Sequence, residues 1–355
     1  MKKIKSKVTL FVAALLFTFV LAPTVHAEEA KNAHAKNSIE GIQLNDDVIK
    51  SVKKSGVGYS GASAYTGYAV SGLKQTNANL TSVTVNWNAA AGAVRYEVVA
   101  MDANYQTLDY KNVTGTSATL DLKGAAAAIV LVIPYDANNG EGDEYDCAIL
   151  DVYTKPKQVT GLKVYGPFGY FEYECKLNVV WNDSVCYGFE AVCYNRKGKQ
   201  VQVVDTTDYH AAAFSKTNTQ NIYSVKVKPY VWINGYSQKL YGQESKILYA
   251  VPQPRITSKN SDIKTNSINV KWKKVTGATK YEVYVSNKQK SGYKKAATVK
   301  ASKKSYKITR YKGKTLNLLN KTHYVKVVTY AKFGKKTVKS QSNCQMSGRV
   351  RRVYY

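Results

Sequence analysis

The chain has 355 residues, of which 52 are Lys or Arg and 24 are Asp or Glu, so its formal net charge at neutral pH is +28. Hydrophobic residues make up 44% of this length, which is enough to give each of two or three domains a core and excludes a globally disordered chain. The five cysteines are scattered, with no CxxC spacing, so they do not organise the fold.

Residues 1–27 have the features of a secretory signal peptide. Basic residues precede an uncharged apolar run from Val8 to Ala22, and Val25-His26-Ala27 places small residues where a signal peptidase cuts. This run is shorter than the roughly 20 residues that cross a bilayer. We therefore expect cleavage after Ala27 and a mature chain without a transmembrane segment. Such a protein would be secreted and extracellular, with association with the cell wall as one location.

The next segment, residues 28–66, has no repeating pattern and is rich in Ala, Ser, Gly and Asn. This composition predicts a flexible spacer that contains one short helix around Ile42 to Val52. Further along the chain, Pro156 and Pro252-Gln-Pro254 mark short links between domains, which proline stiffens.

Three segments after residue 66 share one pattern, which is the strongest signal in the sequence. In each, an alternating apolar run ends in tryptophan, and a short polar loop leads to an aromatic residue that opens a second alternating run. The tryptophans are Trp87, Trp181 and Trp272, and the aromatic residues are Tyr96, Phe189 and Tyr281. Period-two patterns of this length without helical periodicity predict antiparallel β-sandwiches.

A later alternating run in each repeat ends at tyrosine and is followed by a turn signal. Asn139-Gly140 and Asn234-Gly235 predict tight hairpins in the first two repeats, because both residue types tolerate positive φ. The third repeat has Phe333-Gly334 at this place.

The tryptophan of the second strand, the Tyr-Glu-Val that opens the third and the Tyr-Ser-Val-Lys-Val of the sixth resemble fibronectin type III domains. The resemblance covers roughly residues 67–346 and implies seven strands per domain. It also implies that the three tryptophans face inward, together with Val85, Val179 and Val270. Tyr223 resembles the family's corner tyrosine, at which the other repeats carry Ala128 and His323.

The predicted fold class is therefore all-β, with three tandem antiparallel β-sandwiches. The predicted domains are 67–154, 155–250 and a strongly basic 251–346, followed by a basic tail at 347–355.

The residues that carry enzyme chemistry are sparse. Within the predicted domains, His210 and His323 each lack a second histidine at ligand spacing, so both are expected to be structural or solvated. Residues 136–144 gather oxygen ligands but break the EF-hand spacing, which favours a solvated hairpin tip over a calcium site. Cys175 and Cys193 both point into the second core, where two buried thiols are favoured over a disulfide. We predict no enzyme activity, metal or cofactor.

The charge is concentrated at one end of the chain. Residues 251–355 contain 27 basic and two acidic residues, whereas residues 67–154 contain four and ten. Strand alternation predicts two groups of exposed lysines in the third domain. Lys271, Lys273 and Lys307 are expected on one sheet face, and Lys280 and Lys326 beside Tyr284 on the other sheet. These five lysines form the candidate site for an anionic ligand, and the plainer alternative is a contribution to solubility.

The family resemblance implies adhesion or association with a cell envelope, in an exported protein of a Gram-positive-type bacterium. We predict a non-enzymatic binding and spacer protein whose third domain docks on an anionic polymer of the cell wall or matrix. The other domains would then face host or neighbouring surface proteins or glycans. The alternative is a carbohydrate-binding accessory module of an extracellular polysaccharide-degrading system, which a row of coplanar exposed aromatic rings would favour. Nucleic-acid capture fits the charge but lacks a recognisable base-stacking motif.

Overall fold

The computed structural model describes residues 67–142, 146–165, 177–182, 184–207 and 210–340. Within these ranges the chain forms β-strands and no α-helix, so none of the described residues belongs to a helix able to cross a membrane. The predicted signal peptide, spacer, helix at 42–52 and basic tail lie outside the described residues, as does Cys175.

The first sandwich has the predicted seven strands. They are β1 (Ser71–Ala78), β2 (Ser82–Asn88), β3 (Arg95–Met101), β4 (Thr107–Val113), β5 (Ser117–Asp121), β6 (Ala127–Tyr135) and β7 (Ala148–Tyr153). One sheet has the order β1-β2-β5 and the other the order β4-β3-β6-β7, with antiparallel pairing throughout. This division of strands is that of a fibronectin type III-like sandwich.

The second sandwich repeats the arrangement with a divided last strand. Its strands are β8 (Lys163–Val164), β9 (Leu177–Val180), β10 (Gly188–Asn195), β11 (Gln200–Thr206), β12 (Ala211–Phe214), β13 (Tyr223–Ile233), β14 (Gln238–Tyr241) and β15 (Leu248–Ala250). The sheets have the orders β12-β9-β8 and β11-β10-β13-β14, and β15 also pairs with β13. Pro229 has no N–H to donate, and the ladder is interrupted beside it, where Gly242 N donates to the Pro229 carbonyl at 2.8 Å.

The third sandwich contains seven strands and one small extra hairpin. Its strands are β16 (Ile256–Asp262), β17 (Ser267–Trp272), β18 (Lys280–Ser286), β19 (Lys294–Lys300), β20 (Ser305–Ile308), β21 (Arg310–Tyr311), β22 (Lys314–Thr315), β23 (Tyr324–Phe333) and β24 (Lys336–Lys339). The sheets have the orders β16-β17-β20 and β19-β18-β23-β24, and β21 pairs with β22 alone. Three tandem all-β sandwiches are thus confirmed.

The tryptophans lie in the cores as predicted. Trp87, Trp181 and Trp272 are 5%, 6% and 2% exposed, and Val85, Val179 and Val270 are fully buried. In the first and third sandwiches the aromatic residue that opens the third strand also holds the preceding loop. The Tyr96 hydroxyl accepts a hydrogen bond from Ala90 N, and the Tyr281 hydroxyl accepts one from Val275 N, both at 2.8 Å.

The corner tyrosine of the second sandwich is also confirmed. Tyr223 is buried, and its hydroxyl accepts a hydrogen bond from Asn218 N at 2.8 Å. In the third sandwich His323 occupies the corner, and its Nδ1 lies 3.0 Å from the Lys321 carbonyl, which can only accept. Burial lowers the pKa of His323, which favours the neutral ring.

Both predicted Asn-Gly hairpins form, but neither has a two-residue turn: Ile233 pairs with Gln238 across four residues, and Tyr135 pairs with Glu141 across five. Asn234 and Gly235 both adopt positive φ, at 54° and 62°. Asn139 is also left-handed, but Gly140 is not, and the hairpin closes over a wider loop. The reason is Asp136, whose Oδ1 accepts hydrogen bonds from Asn138 N at 2.9 Å and Gly140 N at 2.7 Å and so caps the loop itself.

The chain divides into two compact units. The first unit comprises Met1–Gln158, Ser184–Phe189 and Lys228–Gln243. In it, the Asn234 amide clamps the backbone of Gln75. Its Oδ1 accepts from Gln75 N at 2.8 Å, and its Nδ2 donates to Gln75 O at 2.9 Å. The Gln75 amide clamps the backbone of Tyr153 in the same way.

The second unit comprises Val159–Asp183, Glu190–Val227 and Glu244–Tyr355. In it, side chains from the second and third sandwiches form a small apolar cluster of Ile222, Val251, Val275 and Ala331. Next to this cluster the Tyr249 and Phe333 rings stack, with centroids 3.9 Å apart. The link at Pro252-Gln-Pro254 is therefore accompanied by packed side chains.

Replacing Asn234 with glycine tests the Gln75 clamp. Glycine keeps the left-handed backbone of the turn but removes both hydrogen bonds to Gln75. We expect the Gln75 amide to exchange with solvent about fivefold faster, since a lost bond of this kind is worth about 1 kcal/mol. Amide hydrogen exchange followed by NMR measures this. The Tyr153 amide, which the Gln75 side chain holds, is the internal control, and unchanged exchange at Gln75 would refute the clamp.

Candidate functional site

Two of the predicted lysines lie side by side on the outer face of the third sandwich's three-stranded sheet. Lys271 of β17 is paired with Ser305, and Lys307 of β20 is paired with Asn269. The two lysines are therefore diagonal neighbours on adjacent strands, about 7 to 8 Å apart across the pair. Both are exposed, and no carboxylate of the described residues lies within ion-pair distance of either. Asp262 is the acid whose charge interacts with Lys307.

The cationic surface continues past the end of β17. Lys273 is exposed and follows Trp272, and its backbone N donates to Arg255 O at 2.8 Å. Trp272 N donates to Lys304 O at 2.9 Å, which brings exposed Lys304 to the same end of the sheet. Alternation along the strands did not reveal Lys304, because it lies in the loop before β20. We call Lys271, Lys273 and Lys307 the cationic face, and Lys304 flanks its end opposite Trp272.

The other sheet presents its lysines differently. Lys280 Nζ lies 3.0 Å from Glu282 Oε1 and 4.4 Å from the centre of the Tyr330 ring. Glu282 Oε2 accepts hydrogen bonds from the hydroxyls of Tyr284, at 2.6 Å, and Tyr330, at 2.7 Å. Lys295 Nζ is 3.7 Å from the same carboxylate. Lys280 lies on the predicted face beside Tyr284, but Glu282 compensates its charge.

The hydrogen bonds to Glu282 determine its ionisation. Burial by itself would raise the pKa of this carboxyl, but the donors Tyr284, Tyr330 and Lys280 outweigh burial and lower the pKa to about 2. Glu282 is therefore a carboxylate at neutral pH. It holds Lys280, Tyr284 and Tyr330 together on this face.

Lys326 is the fifth predicted lysine and, like Lys280, is half-buried. It is paired with Tyr284 across β18 and β23, and its Nζ lies 6.0 Å from the Tyr284 ring centre and 5.7 Å from that of Tyr293. Burial lowers the pKa of Lys326, and the charge of Lys339 lowers it further. Aromatic rings therefore hold this cation at the surface.

The first sandwich contains a similar group, in which a basic residue contacts both a glutamate and a tyrosine ring. Arg95 Nη1 lies 3.1 Å from Glu97 Oε1, and its guanidinium carbon is 3.5 Å from the centre of the Tyr135 ring. Both sandwiches have a basic residue two positions before the glutamate and a tyrosine paired with that basic residue on the sixth strand. This spacing is the signal in the sequence that could have revealed these contacts. In the second sandwich Lys239 supplies the cation, 3.9 Å above the Tyr230 ring.

The second sandwich also carries an aromatic cluster, formed by Tyr187, Tyr230, Trp232, Tyr236 and Tyr241. Neighbouring ring centres are 5.9 to 6.4 Å apart, and the ring planes are inclined by 37° to 83°. Tyr230 is buried, so the rings pack on one another, mostly edge to face. This cluster is not the coplanar exposed row that a sugar-stacking platform requires.

The remaining candidates for chemistry have structural surroundings. Among the described residues, no group of three or more His, Cys, Asp or Glu side chains could hold a metal ion. The Asp136 carboxylate caps its own loop, and His323 lies buried at the corner of the third sandwich. Burial raises the pKa of the Cys193 thiol to about 12, which disfavours the reactive thiolate.

No family model matches the sequence, and no curated protein matches it. Among solved structures, the chain is similar to the FN1–FN3 domains of chicken CNTN1, with 15% identity over 77% of this chain and 98% of that one and a TM-score of 0.24. It is similar to a two-domain fibronectin type III segment of chicken tenascin, with 13% identity, 51% and 97% coverage and a TM-score of 0.27. The central fibronectin III array of RIM-binding protein shows 11% identity, 79% and 98% coverage and a TM-score of 0.22. With scores this low, the fold assignment depends on the strand order alone.

The contacts of Glu282 predict that the stability of the third sandwich depends on pH. In the folded protein the pKa of Glu282 is about 2, below the ordinary value of 4.5. The ionised carboxylate therefore stabilises the fold above pH 4.5, and this stabilisation is lost as the pH falls towards 2. We expect Glu282→Gln to be less stable than the wild type at pH 7, by up to about 3 kcal/mol, and the difference to close between about pH 5 and pH 2. Urea unfolding at several pH values measures this.

Asp262→Asn is the matched control, because Asp262 is the other acid of the third sandwich and the asparagine Oδ1 can still accept the hydrogen bond from Thr265 N, although the asparagine Nδ2 cannot accept the bond from the Thr265 hydroxyl. A difference between Glu282→Gln and the wild type that stays constant from pH 7 to pH 2 would contradict the assignment.

Proposed function

We propose that this chain is an exported, non-enzymatic binding and spacer protein whose third sandwich docks on an anionic polymer of a cell envelope or extracellular matrix. The observation that carries the proposal is the cationic face. Its lysines are exposed, and Lys271 and Lys307 have no ion-pair partner among the described residues. The 27 basic residues of the third domain and tail have two acidic residues to offset them.

The physical properties of this face suit a repeating polyanion. At physiological ionic strength the field of a charge persists for about 8 Å, which is close to the spacing of diagonal neighbours in a sheet. Lys271 and Lys307 therefore attract the same stretch of an anionic chain, and Lys273 and Lys304 extend that stretch past the end of the strand. On the other sheet Glu282 compensates Lys280 and lies near Lys295, so the cationic face is the stronger candidate.

The spacer role is supported by the contacts inside each unit. In the first unit the Asn234 amide clamps the backbone of Gln75. In the second unit Ile222 and Val251 pack with Val275 and Ala331 of the third sandwich. Packed connections of this kind hold neighbouring sandwiches at a defined separation better than flexible linkers do. Export, and a position outside the cell, rest on the signal peptide features of residues 1–27.

Charge reversal on the cationic face tests the docking role. The double variant Lys271→Glu and Lys307→Glu should weaken binding of the full mature chain to long-chain polyphosphate, a defined linear polyanion, by about tenfold at low salt. The slope of log affinity against log salt should fall by about two, because two phosphate contacts are lost. Isothermal titration across a salt series measures both quantities.

The matched control is Lys332→Glu with Lys335→Glu, which makes the same change in net charge on the β23–β24 hairpin of the other sheet. We expect this control to bind more tightly than the cationic-face variant and to keep a steeper salt slope. Equal weakening by both variants would show that net charge alone governs binding, and salt-independent binding by the wild type would refute docking through the lysines.

A further inference from the structure

One sheet of the second sandwich ends in a strand whose first five residues carry no charge. This strand, β11, stands first in the order β11-β10-β13-β14, so among the described residues it has one neighbour in its sheet and one open edge. Its first five residues are Gln200-Val-Gln-Val-Val204. Valine is β-branched and favours extended backbone, and an edge without charge or proline is a template for pairing with another strand.

The other long edge strands carry charge at the corresponding place. Of the described strands that end a sheet and are longer than four residues, the others are β1, β4, β5, β7, β16 and β19. Each of these has Lys or Asp within its first five residues. In the first and third sandwiches the strands that correspond to β11 are β4, with Lys111, and β19, with Lys295. Charged side chains prevent edges from pairing between chains, so β11 is the edge that lacks this protection.

The open edge of β11 is accessible and held in position. Val203 is 41% exposed. The Gln202 side chain anchors the strand to the segment after β12, because its Oε1 accepts a hydrogen bond from Lys216 N at 2.9 Å. At the start of the strand, Asn195 N donates to Lys199 O at 2.9 Å, which fixes the turn from β10. An edge that is already ordered loses little conformational entropy when a second strand pairs with it.

We propose that β11 is the surface through which two copies of this chain pair, edge to edge, around a two-fold axis at Gln202. Two identical strands related by such an axis are antiparallel, and each contact occurs twice. This register places Val201 against Val203 of the second copy. It also places Lys199 against Asp205 of the second copy. The two sheets would then join into one continuous antiparallel sheet.

The order of residues along β11 favours a second copy as the occupant. Lys199 and Asp205 are exposed and lie three residues before and three residues after Gln202. The proposed register therefore brings a lysine opposite a carboxylate at both ends of the strand pair, and opposite charges directly across antiparallel strands stabilise the pair. Between these charges, two valine pairs cover the exposed side of Val203. A second copy supplies this complementary pattern by symmetry.

The backbone of the open edge also suits this register. Lys199 O accepts a hydrogen bond from Asn195 N, so the carbonyl of Lys199 points towards β10. The backbone groups of successive residues in a strand point alternately to its two sides, so those of Gln200, Gln202 and Val204 are directed to the open edge. In the proposed register Gln202 faces its own copy, and Gln200 faces Val204 of the second copy. These groups complete one ladder between the two strands.

The size of the contact determines how strong the pairing is. One pair of short strands buries less surface than the roughly 1,000 Å² of a stable interface, so the pairing is weak and transient in free solution. At physiological ionic strength the field of a charge persists for about 8 Å, which limits the repulsion between the basic third sandwiches of two copies. Chains held side by side on the polyanion proposed above would pair at a higher effective concentration. The pairing itself does not require that docking.

The first test is sedimentation velocity of the full mature chain over a concentration series, at physiological ionic strength and without a polyanion. We expect the weight-average sedimentation coefficient of the wild type to rise with concentration. Val203→Lys places a cation on the open edge and should weaken this association at least tenfold. Val185→Lys is the matched control, because it adds the same charge at a position that is 76% exposed in the same sandwich, and it should associate as the wild type does.

The second test identifies the register. Isotopically light and heavy chains are mixed and treated with a carbodiimide, which joins a lysine amine directly to a carboxylate, and the joined peptides are identified by mass spectrometry. Within one strand Lys199 and Asp205 are about 20 Å apart, so a direct bond between them must join two chains. We expect light–heavy coupling of Lys199 to Asp205 in the wild type and in Val185→Lys, and its loss in Val203→Lys.

Three results would overturn the proposal. One is a wild type that stays monomeric over the whole concentration series, including one that associates only when polyphosphate is added. Another is equal association of Val203→Lys and Val185→Lys. The third is light–heavy coupling confined to residues outside β11 and Lys199, which would show that the copies meet elsewhere. Docking on polyphosphate is measured separately, so failure of the pairing leaves the proposed function standing.

Discussion

The two-residue period of the β-strand is the constraint on which the rest of this structure depends. It gives every strand one side that must enter a core and one side that is free to vary. The inner sides are nearly the same in the three sandwiches, where Val85, Val179 and Val270 are fully buried and each is followed two residues later by a buried tryptophan. The outer sides differ: those of β3 and β6 in the first sandwich are aliphatic, whereas those of β17 and β20 in the third carry lysines. The differences among the three domains therefore lie on the outer faces.

Because the period is so regular, the sequence predicts the direction of a side chain well and its partners poorly. Alternation correctly placed Lys271 and Lys307 outside and Trp272 inside. It also placed Lys280 outside, but it could not show that Glu282 and Tyr330 would meet there. Tyr330 is distant in sequence and comes opposite Lys280 only through the register of β18 and β23. Register depends on bulges and turns, which local pattern does not specify.

Turns and strand ends departed from prediction where one side chain competed with the regular backbone pattern. Asn139-Gly140 has the composition of a tight turn, but Asp136 offers its carboxylate to two loop amides, and a wider loop results. The last strand of the second sandwich divides beside Pro229, which cannot complete the ladder. In both cases the deciding residue lies outside the motif that carried the prediction. Recognising such cases requires knowledge of which backbone groups need a partner.

The few acids of the third sandwich have more influence on its surface than the many bases. Glu282 is half-enclosed by Lys280, Lys295 and two tyrosine hydroxyls, so removing it would leave lysines close together with no counter-charge. That carboxylate stabilises one sheet by compensating charge there. The β17–β20 face has no such residue at its centre, since Lys271 and Lys307 alternate with Asn269 and Ser305. An anionic ligand that displaces water from this face would supply the compensation that the fold itself provides on the other sheet.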